Sequence, residues 1–313
     1  MKIIYVGAEV GYYAMKDVVG GRSECEHVEA EPGALGEALK GADALLDASM
    51  KVKITNQMIE DAVALKIISC ATTGSDHIER KELNRRSIPV RSLKEDRDVL
   101  MNLTPAAELS WALLMACARK LPAAFDHVKS GAWVRELFPG RMLRGRRIGV
   151  VGCGRIGGWM GRYARAFGME VVGFDPHVDP FPEGFIRLDL HELARSSDFI
   201  TVHVHLSDET RHLISREIFE VVKPGAILIN TSRGAVVEET AMLNALESGR
   251  LGGAGLDVVE GEPDIDNNPL VRYARTHDNL IITPHCGGFS PDAVAIVCAH
   301  SARKIVKELG LDS

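Results

Sequence analysis

Arg147-Ile148-Gly149-Val150-Val151-Gly152-Cys153-Gly154-Arg155-Ile156-Gly157-Gly158 is the stretch whose reading decides the fold. Its first half is a short apolar run suited to a buried strand, and its glycines then lead into a helix. Gly152 permits a tight turn, Gly154 lets main chain approach a pyrophosphate, and Gly157 lets helix and strand pack. A helix starting there offers free N–H groups and the positive end of its dipole to phosphate. A second apolar strand, Glu170–Phe174, runs into Asp175, whose carboxylate can accept both ribose hydroxyls of an adenosine. Glycines also punctuate ordinary turns. The strand before and the acid after are what turn this motif into a dinucleotide site.

Outward from that stretch the chain keeps a βα rhythm. Strands are predicted at 148–152, Glu170–Phe174, 198–204, Ala226–Asn230, 254–258 and 279–283, with helices at 216–222 and 238–248 between them. Six such strands suit a doubly wound parallel sheet. Before it, Lys2–Val6, 42–48 and 65–71 read as strands, and 54–64 as a helix capped near Thr55, which suggests a second α/β unit. Pro105 opens a helical pattern over 106–121, since a proline near a helix start gives up only an N–H that lacks a partner there. Its apolar part, 111–118, suits a buried crossover or a subunit interface. A last helix is predicted over 291–309.

The bulk numbers agree with two soluble domains. At about 150 residues per domain, 313 residues make two. Hydrophobic residues make up 46% of the chain and mean hydropathy is +0.00, so core material is ample. A net charge of −6 argues against nucleic acid or an anionic membrane as the main partner. No apolar run is expected to reach the roughly 18 residues of a membrane span, and the first residues read as a strand rather than a signal peptide. The six cysteines are scattered without metal spacing, which suggests free thiols in a reducing cytoplasm.

Three further motifs give the chain more character than a generic dinucleotide-binding protein: Lys223-Pro224-Gly225 through Asn230-Thr231-Ser232-Arg233-Gly234, Gly253-Ala254-Gly255-Leu256-Asp257 through Glu262-Pro263, and Thr283-Pro284-His285-Cys286-Gly287-Gly288. Arg233 follows a strand, at the sheet edge where open α/β folds bind ligands. Its guanidinium can grip a carboxylate with two parallel hydrogen bonds. His285 follows another strand, and an ordinary histidine pKa of about 6.5 suits proton exchange with an alcohol. Glu262 supplies a carboxylate that can hold the imidazole in one tautomer and favour its protonated form. Each alone has a plainer role, as a surface ion pair or a structural histidine.

Together and in this order, the four motifs resemble the NAD-dependent D-isomer-specific 2-hydroxyacid dehydrogenase family. Gly74-Ser75-Asp76-His77-Ile78 and Ala107-Glu108 fit its N-terminal pattern too. The resemblance implies a Rossmann domain, 102–286, inserted into a smaller flavodoxin-like substrate domain, 1–101 with 287–313, the cleft between them closing over substrate. It implies that His285 takes the 2-hydroxyl proton while C2 passes hydride to the nicotinamide, that Arg233 binds the substrate carboxylate, and that Glu262 orients His285. Gly74 and Ser75 are implied to hold the other side of that carboxylate through main-chain N–H groups.

For the cofactor, the resemblance places Gly152, Gly154, Arg155, Ile156 and Gly157 at the pyrophosphate and Asp175 at the adenosine ribose. His203, Thr231 and Ser232 fall toward the nicotinamide, Asp257 near its carboxamide, and Gly287 and Gly288 behind the catalytic histidine. Asp175 selects NAD, because its carboxylate would repel the 2′-phosphate of NADP, and Pro176-His177 brings no arginine to offset it. No metal is expected; His205 stands where relatives carry a proline, and no third ligand accompanies His203 and His205. Trp133 is expected to pack rather than to bind, and Cys153 and Cys286 to act as small filler. A homodimer built through the nucleotide domain is implied, as is a small 2-hydroxy or 2-keto acid substrate of the phosphoglycerate or glycerate/hydroxypyruvate kind.

The chain departs from the family in two places. Segment 91–103, with Lys94-Glu95-Asp96-Arg97-Asp98, is longer and more charged than the usual link. Ser49 stands where phosphoglycerate-specific members often carry an arginine, leaving Lys51 as a substitute. The family also contains non-enzymatic corepressors, so an NAD-sensing scaffold is the alternative to an enzyme. A formate dehydrogenase is disfavoured, since that branch pairs its histidine with glutamine.

Overall fold

The computed structural model describes residues 1–311. In chain order the elements are β1 (Lys2–Val6), α1 (Glu9–Val19), β2 (Glu24–His27), α2 (Pro32–Leu39), β3 (Ala44–Asp47), α3 (Asn56–Asp61), β4 (Ile67–Cys70), α4 (Lys81–Arg85), β5 (Val90–Arg91), α5 (Arg97–Met101), α6 (Pro105–Arg119) and α7 (Leu121–Lys129). There follow β6 (Arg147–Val151), α8 (Arg155–Ala166), β7 (Glu170–Phe174), β8 (Ile186–Arg187), α9 (Leu190–Ser196), β9 (Phe199–Val202), α10 (Arg216–Val221), β10 (Ala226–Asn230), α11 (Glu239–Glu247), β11 (Leu251–Leu256), α12 (Pro269–Ala274), β12 (Leu280–Ile282) and α13 (Pro291–Glu308).

These elements form two compact units, Met1–Leu103 with Phe289–Ser313, and Thr104–Gly288. The sequence-derived boundaries, 101/102 and 286/287, each lie two residues before these junctions.

The first unit holds a five-stranded parallel sheet in the order β2-β1-β3-β4-β5, the flavodoxin-like order. Its inner strands β3 and β4 are buried along their whole length, as parallel strands covered on both faces must be. Tyr5, Met15, Cys298 and Ile305 fill one face of the sheet, where α1 packs along α13. Ile4, Leu35, Ile59 and Ile68 fill the other. Ser290 caps α13 by accepting from the Ala293 N–H at 3.2 Å, with Pro291 in the first turn.

The second unit holds seven parallel strands in the order β12-β11-β10-β9-β6-β7-β8. Counted from β6 this is the Rossmann order with one strand added, and the reversal point falls between β6 and β9. The predicted six strands become seven because β8 is a two-residue edge strand without an apolar run.

Two helical expectations change. The pattern over 106–121 ends at Arg119, because Lys120 adopts a left-handed conformation (φ 53°) and a separate helix, α7, begins. The stretch Arg97–Arg119 is, against the sequence reading, long and apolar enough to cross a membrane by length and composition. In the fold it is divided at 102–104 into α5 and α6, and Leu113 and Leu114 of α6 lie in the core.

Candidate active site

The glycine turn between β6 and α8 is built by contact. Gly152 has φ 89°, and a Cβ there would sit 2.8 Å from the carbonyl carbon of His203. A Cβ on Gly157 would lie 2.0 Å from the Gly152 oxygen, so α8 can reach the strand only with glycine there. At Gly154, the N-cap of α8, a Cβ would meet nothing within 4 Å. Space is therefore open where a pyrophosphate would approach the helix N-terminus, which is what a bound dinucleotide requires. Ile156 lies in the first turn of that helix beside Arg155, a half-buried residue whose guanidinium is held below its ordinary pKa by burial.

Asp175, after β7, accepts from the Cys153 N–H at 2.8 Å through one oxygen. Through the other it accepts from the N–H groups of His177 (2.9 Å) and Val178 (3.1 Å). The carboxylate is thus fixed against the glycine turn. An arginine that the sequence reading did not weigh lies beside it. Arg187 of β8 donates to the Asp175 carbonyl at 2.9 Å and lies 5.0 Å from the centre of the Phe181 ring. Its distance in sequence hid it; the pairing of β7 with β8 brings it in.

His203 follows β9. Its Nε2 meets the Thr201 hydroxyl at 2.7 Å, its Nδ1 is buried without a partner, and burial pushes its pKa down to about 3. It is a neutral imidazole with one unanswered polar atom close to the open turn, which a cofactor amide or hydroxyl would answer. With the space at Gly154, this residue set fits a dinucleotide.

After β10, the buried Asn230 organises the next turn. Its oxygen accepts from the Ser232 N–H (3.0 Å) and hydroxyl (2.7 Å), and its amide donates to the Arg233 carbonyl (3.0 Å). Thr231 meets Ser110 of α6, hydroxyl to hydroxyl, at 2.7 Å. Arg233 donates to the Ser232 carbonyl at 2.8 Å. Asn230 lies within the Lys223–Gly234 motif, but no role is assigned to it from the sequence; its hydrogen bonds show it holding the Arg233 turn.

Asp257, after β11, is 1% exposed and is consumed by the loop that follows β12. It accepts from the Thr283 hydroxyl (2.5 Å) and the N–H groups of Cys286 (3.0 Å) and Gly287 (2.7 Å). It lies beneath the His285 loop as its internal anchor. Gly287 is buried against it, whereas Gly288 is exposed.

His285 sits on that loop with φ 53°, its own N–H donating to the carbonyls of Asp257 (2.9 Å) and Thr283 (3.0 Å). Its Nδ1 meets Glu262 Oε1 at 2.6 Å. Beside a carboxylate that acceptor-facing nitrogen carries the proton, leaving Nε2 as the nitrogen for exchange. The hydrogen bond to Glu262 raises the pKa of His285 most; burial lowers it, the charge of Glu262 raises it, the nearby Arg233 charge lowers it and Asp257 raises it. The net direction is upward. The structure thus sets Glu262 against the His285 imidazole, with Arg233 near enough for its charge to bear on that ring.

Gly74 and Ser75 belong to the first unit, on the loop after β4. There Thr72 donates to the Gly74 carbonyl (2.7 Å) and Arg80 to the Ser75 hydroxyl (2.6 Å). His77 on the same loop meets Asp47 at 2.5 Å. Ser49, in the position of the absent arginine, accepts from the Lys51 N–H and donates to Asp47. The charged segment 91–103 is tied to α13. Lys304 donates to the Ser92 carbonyl (2.7 Å) and to Asp96, and His300 lies 3.0 Å from Asp96. Trp133, expected to pack, is instead 87% exposed. It has no core position to fill because 130–146 contains only a single short helical turn, Arg135–Leu137.

Residues 111–287 match the family described as "D-isomer specific 2-hydroxyacid dehydrogenase, NAD binding domain". The chain is 36% identical over 278 residues to a D-3-phosphoglycerate dehydrogenase of Methanocaldococcus jannaschii, covering 87% of this chain and 51% of that protein. It therefore spans about half the length of that relative. It is 35% identical to a hydroxypyruvate reductase of Thermotoga maritima, over 91% of this chain and 90% of that one. Among solved structures, the TT0316 protein of Thermus thermophilus superposes with a TM-score of 0.87 at 32% identity, covering 99% of this chain and 97% of that chain.

Proposed function

Since the chain belongs to the D-isomer-specific 2-hydroxyacid dehydrogenase family, we propose that it interconverts a D-2-hydroxy acid and its 2-keto acid with NAD. The observation that carries this is the 2.6 Å contact between His285 and Glu262, with Arg233 close enough to influence the imidazole. NAD, when bound, supplies the hydride acceptor, and its reduced form the donor. Gly152, Gly154, Ile156, Gly157, Asp175 and His203 would hold it, Asp175 favouring the free 2′-hydroxyl.

The rest is work for the chain's own side chains. Arg233 grips the substrate carboxylate and draws charge from the adjacent carbonyl. His285 Nε2 removes the hydroxyl proton in oxidation and returns it to the carbonyl oxygen in reduction. Glu262 keeps Nδ1 protonated and stabilises the imidazolium. The raised pKa of His285 keeps more of it protonated at neutral pH, which favours keto-acid reduction.

Relatives named as dehydrogenases and reductases support the enzyme over the scaffold alternative. The substrate proposed is a short 2-keto acid such as hydroxypyruvate or glyoxylate, or a phosphorylated hydroxy acid. A panel of 2-keto acids with NADH tests this; turnover of none would overturn it, and a kcat/KM favouring NADPH would overturn the cofactor preference.

We also propose a homodimer. In its support, Phe125, Val128, Trp133, Leu137 and Met142 of the second unit are all exposed by half or more, large apolar side chains of the kind interfaces bury. Free thiols at all six cysteines agree with a reducing cytoplasm, and the net negative charge with neither nucleic acid nor membrane as partner. Sedimentation of the purified chain tests the dimer; a monomer at micromolar concentration would refute it.

A further inference from the structure

Glu262 meets His285 from an unusual platform. Residues 260–267 contain no helix or strand, and all but the half-buried Glu262 are exposed. A carboxylate on such a loop loses its geometry unless the loop is fixed at its ends, because ordering its main chain costs about 1–2 kcal/mol per residue.

Both ends are fixed by the same two side chains. Glu239, in the first turn of α11, accepts from the Glu260 N–H at 2.6 Å through one oxygen and from the Asn268 amide at 2.8 Å through the other. Asn268, 8% exposed, also donates to the Glu260 carbonyl at 3.2 Å. Its oxygen caps α12 by accepting from the N–H groups of Leu270 (2.9 Å) and Val271 (3.3 Å). The N–H and C=O of Glu260 are therefore both held, and the exit of the loop is held by the residue that holds its entry. On the opposite side Gly234 presses against the same main chain: a Cβ there would lie 2.2 Å from the Val259 carbonyl carbon and 2.3 Å from the Glu260 nitrogen. The turn carrying Arg233 and the loop carrying Glu262 thus share one contact.

We infer that Glu239 and Asn268 are positioning residues that set the Glu262 carboxylate on His285 Nδ1. The inference rests on the acid–base role proposed for His285. The charged groups that bear on the pair are Arg233, Asp257 and Glu262 around His285, and Glu260 and Glu262 around Glu239. Arg211 (3.5 Å) and His212 (3.9 Å) lie outside, against the Glu260 side chain. None of these groups replaces the two hydrogen bonds at the Glu260 main chain.

The test is the titration of the His285 ring followed by NMR in the cofactor-free protein, its signal assigned by its loss in His285→Gln. Asn268→Ser keeps a helix-capping hydroxyl but cannot span to Glu239. Glu239→Gln keeps an oxygen for the Glu260 N–H but turns an amide donor toward the Asn268 donor. Both are expected to move the midpoint toward acid by about one pH unit. Keto-acid reduction at pH 8 should then lose about tenfold in kcat, with KM changed less than about twofold. In a Glu262→Gln background the same substitutions should add nothing, since they act through that carboxylate. An unchanged midpoint in both variants, or full additivity with Glu262→Gln, overturns the inference. Glu262→Gln failing to move the midpoint would instead overturn the acid–base pairing on which it rests. A fall in melting temperature without a moved midpoint assigns the pair a structural role only and also overturns it.

Discussion

His203 and His285 stand at the same edge of one parallel sheet, after β9 and β12, and share little else. His203 is half-buried, with its Nδ1 out of solvent and a neutral hydroxyl as its partner, and its pKa is pushed down to about 3. His285 is half-exposed with a carboxylate at 2.6 Å, and its pKa is raised. Burial disfavours the imidazolium in both, and only His285 has a counter-charge that outweighs it. The proton chemistry of this edge is thus set by what each strand's loop brings to the ring. A site that must bind a cofactor and move a proton gains from one imidazole that never charges and one that does.

The contrast can be broken at several points. The largest effect is expected for His285→Gln, which should cost about a thousandfold in kcat with the fold intact by circular dichroism; near-normal turnover would remove His285 from the chemistry. Arg233→Lys keeps the charge but loses the planar fork. It should cost about 2 kcal/mol, about thirtyfold in kcat/KM, with most of the loss in KM. Glu262→Gln should cost about tenfold in reduction and move the pH profile. Reduction needs protonated His285 and so falls as pH rises through its raised pKa, whereas oxidation needs the neutral ring and falls as pH drops below it. Both limbs should shift to lower pH in the variant, as read from kcat/KM against pH. The smallest effect sharpens the other half. The unfolded chain binds a proton at His203 below about pH 6.5, and the folded chain does not until about 3. That residue therefore lowers stability as pH falls through this window. His203→Asn should lessen the loss of melting temperature between pH 7 and pH 5; an unchanged loss would show that the ring is not buried neutral.

Legibility in the sequence followed the physics of each region. Strands buried on both faces announced themselves as apolar runs, and Glu170–Phe174 and Ala226–Asn230 were placed to the residue. β11 was started late because Leu251-Gly252-Gly253 reads as a breaker, yet its glycines let neighbouring main chain close in; a Cβ at Gly252 would lie 2.4 Å from the Gly225 oxygen. β2 was missed, since Glu24-Cys25-Glu26-His27 is an edge strand without a buried side chain. The helices α1 and α2 escaped with it. In the site, motif order is what nominates the residues proposed to face a ligand. Those that hold them were not legible: Glu239, Asn268 and Arg187 act through hydrogen bonds to main chain well removed in sequence, which leaves no periodic mark. Trp133 shows the converse, since its large apolar side chain suggested packing that this chain alone does not provide.

Asp257 has a consequence for the neighbour of His285 as well. Cys286 lies beside the ring proposed to gain and lose a proton, a setting that in other sites yields a reactive thiolate. Here burial, together with the Asp257 carboxylate 3.6 Å from its sulfur, raises the thiol pKa. The anchor that shapes the loop therefore also keeps that sulfur protonated and a poor nucleophile. The loop can carry a cysteine next to its working histidine with little exposure to alkylation or peroxide.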